Sequence, residues 1–154
     1  MGVLGEIKWY SKLDLAENQL NGAINLYLDV KYFISSITLA GAAEELLGKI
    51  LNQVGVKNVL DEYIKSCTAF DENLKNHNKW FRNDLNIHRN NLKHLEVTSV
   101  YANEPPPDEI PIFALAATDL IFRAINNHHK LNQESLYYTS KLSLNINRFY
   151  ASEQ

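Results

Sequence analysis

At 154 residues, 45% of them apolar and 21% charged, the chain is long enough to bury one substantial core and is not a disordered protein. A formal net charge of −3 argues against binding nucleic acid over the whole surface and leaves only a local patch for it. One cysteine, Cys67, excludes an internal disulfide and fits a reducing, cytoplasmic compartment. Met1 to Lys12 has no basic segment followed by an apolar run, so no signal peptide is expected, and no apolar stretch is long enough to span a membrane.

The pattern along the chain is helical. Leu13, Ala16, Leu20, Ile24 and Tyr27 recur at helical spacing after Ser11, with Asp14 three residues past that cap, and predict a first helix over about 12–28. A second is expected from about 31 to 54, stopping at Gly55. It is apolar nearly all round, from Ile34 and Ile37 through Leu39, Ala40, Ala43, Leu46, Leu47, Ile50 and Leu51 to Val54, the profile of the central helix of a bundle. Its small run Ala40-Gly41-Ala42-Ala43 would let a neighbouring helix approach closely. Leu60, Tyr63, Ile64 and Cys67 mark a third helix over about 59–69, with Asn58 as its cap and Asp61 and Glu62 in its positive first turn.

The fourth helix is expected over about 74–95. At 100° per residue, Phe81, Leu85, His88, Leu92 and Leu95 share one face, which reads as the core face. Arg82, Asn86, Arg89 and Lys93 form a stripe on roughly the opposite side, flanked by Asn90 and His94. Between 96 and 109 the helical pattern fails, and Asn103-Glu104-Pro105-Pro106-Pro107 reads as a stiff exposed loop. Pro111 suits a first helical turn, so a fifth helix is expected over 112–131. Tyr138, Leu142, Ile146 and Phe149 mark a sixth. With no strand pattern and no repeat, the expected fold is all-α, an up-and-down helical bundle of five or six helices in a single domain over residues 1–154.

Most chemical signatures are missing. The chain has no glycine-rich phosphate loop, no Cys-x-x-Cys and no His-Glu-x-x-His. His128 and His129 are adjacent and so diverge on a helix, and no metal or cofactor is expected. Cys67 reads as a buried inert thiol and His88 as a core histidine. Trp80, Tyr137 and Tyr138 read as core or interface residues. Glu44 and Glu45 either form a solvated edge or face the basic stripe of the fourth helix. That stripe belongs to a segment, 74–95, in which Lys75, Lys79, Arg82, Arg89 and Lys93 stand against Asp84 alone. Within it, Arg89-Asn90-Asn91-Leu92-Lys93-His94 pairs a fixed cation that can bind phosphate with a side chain that exchanges a proton near neutral pH.

An arginine, a polar residue, three variable positions and a histidine resemble the signature of HEPN domains (higher eukaryotes and prokaryotes nucleotide-binding). The segment Ser36-Ile37-Thr38-Leu39-Ala40-Gly41-Ala42-Ala43-Glu44-Glu45-Leu46-Leu47-Gly48 also resembles the second helix of short bacterial HEPN-like proteins. As architecture the resemblance covers about residues 10–150; as a motif it covers six. Arg82 to His88 fits the looser form as well, and the choice between the two pairs stays open at this point.

The resemblance implies an all-α bundle that dimerises, with one motif per protomer lining a shared cleft. It implies either a metal-independent endoribonuclease, such as a toxin or defence effector, or a catalytically silent binding module, such as the partner of a nucleotidyltransferase-type antitoxin. Carried onto this chain, His94 would be the general acid/base for attack of the ribose 2′-hydroxyl on the neighbouring phosphate. Arg89 would hold the phosphate and stabilise the charge on its oxygens, and Asn90 would orient the scissile group or its partner histidine. Arg82 and Lys93, from the helical stripe, would contact the RNA backbone. Single-stranded or looped RNA is the expected substrate.

Overall fold

The computed structural model describes residues 9–94, 112–134 and 140–154. Among the described residues every regular element is helical and no strand occurs. Helix α1 (Lys12–Asn25) begins in a capping box, in which the Ser11 hydroxyl accepts from the Asp14 backbone N–H at 3.0 Å and the Asp14 carboxylate reaches back to Ser11. It runs into a π-helical turn (Leu26–Val30), which Lys31 ends in the left-handed region at φ 61°. Helix α2 (Phe33–Gln53) is followed by Gly55 at φ 77°, a conformation that glycine adopts without strain. Helix α3 (Val59–Phe70) is capped by the Asn58 side chain, which accepts from the Asp61 N–H at 2.9 Å.

The segment expected as one fourth helix is three: α4 (Glu72–Asn76), α5 (Asn78–Leu85) and α6 (Ile87–His94). With α7 (Leu115–Glu134) and α8 (Ser140–Ser152), the described residues hold eight α-helices and one π turn instead of five or six helices. The break between α5 and α6 has a visible cause. Asn86 leaves helical geometry at φ −110° and ψ 10°. That frees the Leu85 carbonyl, which accepts from Nη1 of Arg123 at 3.3 Å, while the Asn86 side-chain oxygen accepts from Nη2 at 2.7 Å. A buried arginine on α7 thus takes one backbone carbonyl that a continuous helix would have kept for itself, together with the Asn86 side chain. The Pro-rich loop expected over 96–109, Pro111, Tyr137 and Tyr138 lie outside the described residues.

The core lies where α1, α2, α7 and α8 meet. Leu20 and Ile24 of α1, Ile37, Leu47 and Leu51 of α2, Ile121 and Ile125 of α7, and Leu142 and Phe149 of α8 are fully buried. Helix α2 packs on α1, α7 and α6, so it is the central helix, although its ends show Ile34 and Val54 to solvent. Phe149 packs edge to face on Tyr27 and Phe122, at centroid distances of 5.5 and 5.0 Å. No described helix is long and apolar enough to cross a membrane.

Candidate functional site

The site is built where α6 crosses α2, and a missing side chain makes the crossing. A Cβ on Gly41 would lie 2.6 Å from Cδ and 2.7 Å from Cγ of Arg89, so the arginine stem occupies the space that a side chain at position 41 would need. The guanidinium then meets Glu44 one turn further along α2, with Nη1 donating to Oε2 at 3.0 Å. Glu44 is 5% exposed and Arg89 21%. A carboxylate that buried is stable only with charge and hydrogen bonds around it. A second guanidinium supplies part of this: Nη2 of Arg123 stands 3.7 Å from the same oxygen. Arg123 is itself held by Leu85 and Asn86 at the α5–α6 break, and Asp119 lies 3.6 Å from its Nη1 at the protein surface. Glu44 therefore faces two arginines, both of whose Nε atoms are buried without a hydrogen-bond partner among the described residues.

Beside this cluster Glu45 accepts from Lys49 at 2.7 Å and has Lys93 at 3.7 Å. The Lys49 hydrogen bond, helped by the charges of Lys93 and Arg89, holds the Glu45 carboxyl below its ordinary pKa despite partial burial. A cleft of about 230 Å³ opens here between Gly41, Ala42, Glu45, Arg89, Leu92 and Lys93. On the other side of Arg89 a cavity of about 310 Å³ is bounded by the α5–α6 break and the start of α7. Arg89 thus stands between two hollows and lines both.

The expected faces of the 74–95 segment are corrected. The basic stripe, expected roughly opposite the core, is turned inward only in part: Asn86 is buried, Arg82 and Arg89 are half-buried and Lys93 is exposed, and the stripe meets carboxylates as the alternative for Glu44 and Glu45 allowed. Arg82 donates to Asp61 of α3 at 2.7 Å, Asn86 is buried under Arg123, and Arg89 and Lys93 meet Glu44 and Glu45. Of the residues expected on the core face, Phe81, Leu85, His88 and Leu92 are half-buried, Leu92 packing against the core, and Leu95 lies outside the described residues. His88 is a cavity-lining residue, edge-on to Phe113 at 5.1 Å, and not a core histidine. Cys67 is half-buried and not sealed in the core; its hydrogen bond raises the pKa of Tyr63. Trp80, expected in core or interface, is 58% exposed.

Of the expected site residues, Arg89, Lys93, Glu44 and Glu45 come together, while Arg82 is tied to α3. Asn90 is partly exposed on α6, its backbone N–H bonded to the Asn86 carbonyl at 2.9 Å. His94 is the last residue of α6, and its side chain lies outside the description. Arg123 went unanticipated. Its signal was a lone arginine between apolar pairs, Leu120-Ile121 and Ala124-Ile125, where a charge needs a buried partner. The buried pair of His128 and Glu17, with Nε2 2.8 Å from Oε1, is a similar case inside the core, away from either hollow.

Comparison with protein-family models, with curated proteins and with solved structures finds no match. The functional reading rests on the residues themselves.

Proposed function

We propose that this chain is a metal-independent endoribonuclease of HEPN type, cleaving single-stranded or looped RNA, with its helices in the up-and-down arrangement of that family. The observation that carries the reading is the Arg89 site: an arginine that Gly41 admits and Glu44 aims, at the edge of an open cleft and backed by Arg123. Arg89, Arg123, Lys49 and Lys93 stand against Glu44, Glu45 and Asp119, so the cluster keeps one net positive charge near the cleft, where a phosphate oxygen would replace water.

In this reading Arg89 neutralises the charge that builds on the phosphorane, and His94 moves the proton of the attacking 2′-hydroxyl. Asn90 orients the scissile group. Lys93, 59% exposed at the cleft, contacts the backbone phosphate next along the strand. Arg82 reaches phosphate only with part of its charge spent on Asp61. One shallow motif per protomer does not make a cleft, so a complete site takes the Arg89 and His94 motifs of two facing protomers, and a homodimer about a two-fold axis supplies them. Such an enzyme fits a cytoplasmic toxin or defence effector held in check by an antitoxin protein.

A second reading has one observation in its favour. Glu44 lies 3.0 Å from Arg89 and offsets its charge, as befits a silent HEPN binding module that partners a nucleotidyltransferase-type antitoxin. Expression in a bacterial host separates the two. The nuclease predicts growth arrest with fragmented cellular RNA from the wild-type chain and none from His94→Ala. Normal growth and intact RNA from both would favour the silent module.

A further inference from the structure

We propose that the cavity between the α5–α6 break and the first turns of α7 is a base-binding subsite that takes guanine. The inference rests on the reading of the chain as acting on RNA. It deepens that reading by naming the base beside the phosphate at Arg89.

The cavity measures about 310 Å³, at the lower end of the roughly 300–1,000 Å³ typical of small-molecule sites. Its inner wall is apolar, formed by Leu85 and by Leu120, which is 3% exposed. Phe113 and His88 meet edge to face at one side, at 82°, and give that side an aromatic boundary. The polar groups are placed unevenly. Arg89 closes one side, and Asp119 stands at the rim on α7. A rim carboxylate repels a phosphate, so an anionic ligand must put its phosphate at Arg89 and a neutral ring toward Asp119.

Asp119 then selects the ring. It is 59% exposed, and among the described residues no donor lies within hydrogen-bond distance of its carboxylate; the nearest cation, Arg123, is 3.6 Å away. An ionised carboxylate only accepts hydrogen bonds, through two oxygens side by side. Guanine presents two adjacent donors, N1–H and the exocyclic amine, on one edge. Adenine and cytosine set an acceptor next to their amine, and uracil flanks its single N–H with two carbonyls. Reading an unstacked base by its pairing edge is how proteins distinguish single-stranded RNA sequences.

The test is calorimetric titration of the full chain with guanosine, inosine, adenosine, cytidine and uridine 3′-monophosphates. Guanosine 3′-monophosphate is expected to bind about ten-fold or more tighter than the adenosine, cytidine and uridine nucleotides, the discrimination typical of a two-point base contact. Inosine 3′-monophosphate, which lacks the exocyclic amine, should fall between. Asp119→Asn, a change at an exposed position, should abolish the preference. Equal affinities in the wild type, absence of binding, or a guanine preference that survives in Asp119→Asn would each overturn the proposal. The two readings fail separately. Asp119-dependent guanine binding by a protein that never cuts RNA keeps the pocket and removes the nuclease. Cleavage without guanine preference does the reverse.

Discussion

A methyl group at position 41 would meet the Arg89 stem at 2.6 Å, closer than unstrained carbon atoms approach. Gly41→Ala therefore displaces the arginine or lifts α6 off α2. The expected cost is about 1–3 kcal/mol, the range for overpacking, read by urea denaturation, with any RNA cleavage falling further than the stability loss explains. Glu44 is the complementary case. Removing it leaves the guanidinia of Arg89 and Arg123 close together, one of them 9% exposed, with no carboxylate between them. Glu44→Ala should lose about 3–5 kcal/mol, the range for breaking a buried ion pair, and a loss under about 1 kcal/mol would mean that the pair is not desolvated. That Glu44 or Glu45 could meet the basic stripe was legible in the sequence, from charge complementarity and a run of small residues. Which of them goes inward was not, because adjacent glutamates differ only in the direction they leave the helix.

At the scale of elements, caps and periodicity read correctly and continuity did not. Ser11–Asp14, Asn58 and Gly55 each mark a real boundary, since capping depends on local hydrogen bonds that the sequence displays directly. The break at Asn86 depends on Arg123, 37 residues away, and no local pattern announces it. The error propagated in part: a helical wheel drawn through 86 assumes an uninterrupted 100° advance, so Asn86 came out on the wrong side, while Leu92 does pack against the core and Lys93 is exposed. Helix α7 also carries a pH signal. Burial, and then the charge of His128, lower the pKa of His129 from 6.5. The unfolded chain takes up that proton near pH 6.5 and the folded chain only at lower pH. The contribution of His129 is thus constant above about pH 6.5 and becomes destabilising as pH falls below it. His129→Gln should flatten the stability–pH curve in that window relative to the wild type; superimposable curves would show that His129 titrates alike in both states.

At the scale of the whole molecule, α2 organises both the core and the site: one side closes on α1 and α7, and another carries Gly41, Glu44 and Glu45 under α6. The proposed dimer belongs to this scale too, because one shallow motif per protomer does not make a cleft and two facing copies would. Multi-angle light scattering at micromolar concentration should report twice the 17.6 kDa of the chain, and a monomer there would deprive the proposed site of its second half. The most direct test of the central claim is end-group analysis of a defined single-stranded RNA incubated with purified protein in EDTA. The account predicts products bearing a 2′,3′-cyclic phosphate and a 5′-hydroxyl, no cleavage of the matching DNA, and rates lowered by about 10²–10⁴-fold in His94→Ala, with a similar loss in Arg89→Ala. Intact RNA after incubation with the wild-type protein, or cleavage that His94→Ala leaves unchanged, would contradict it.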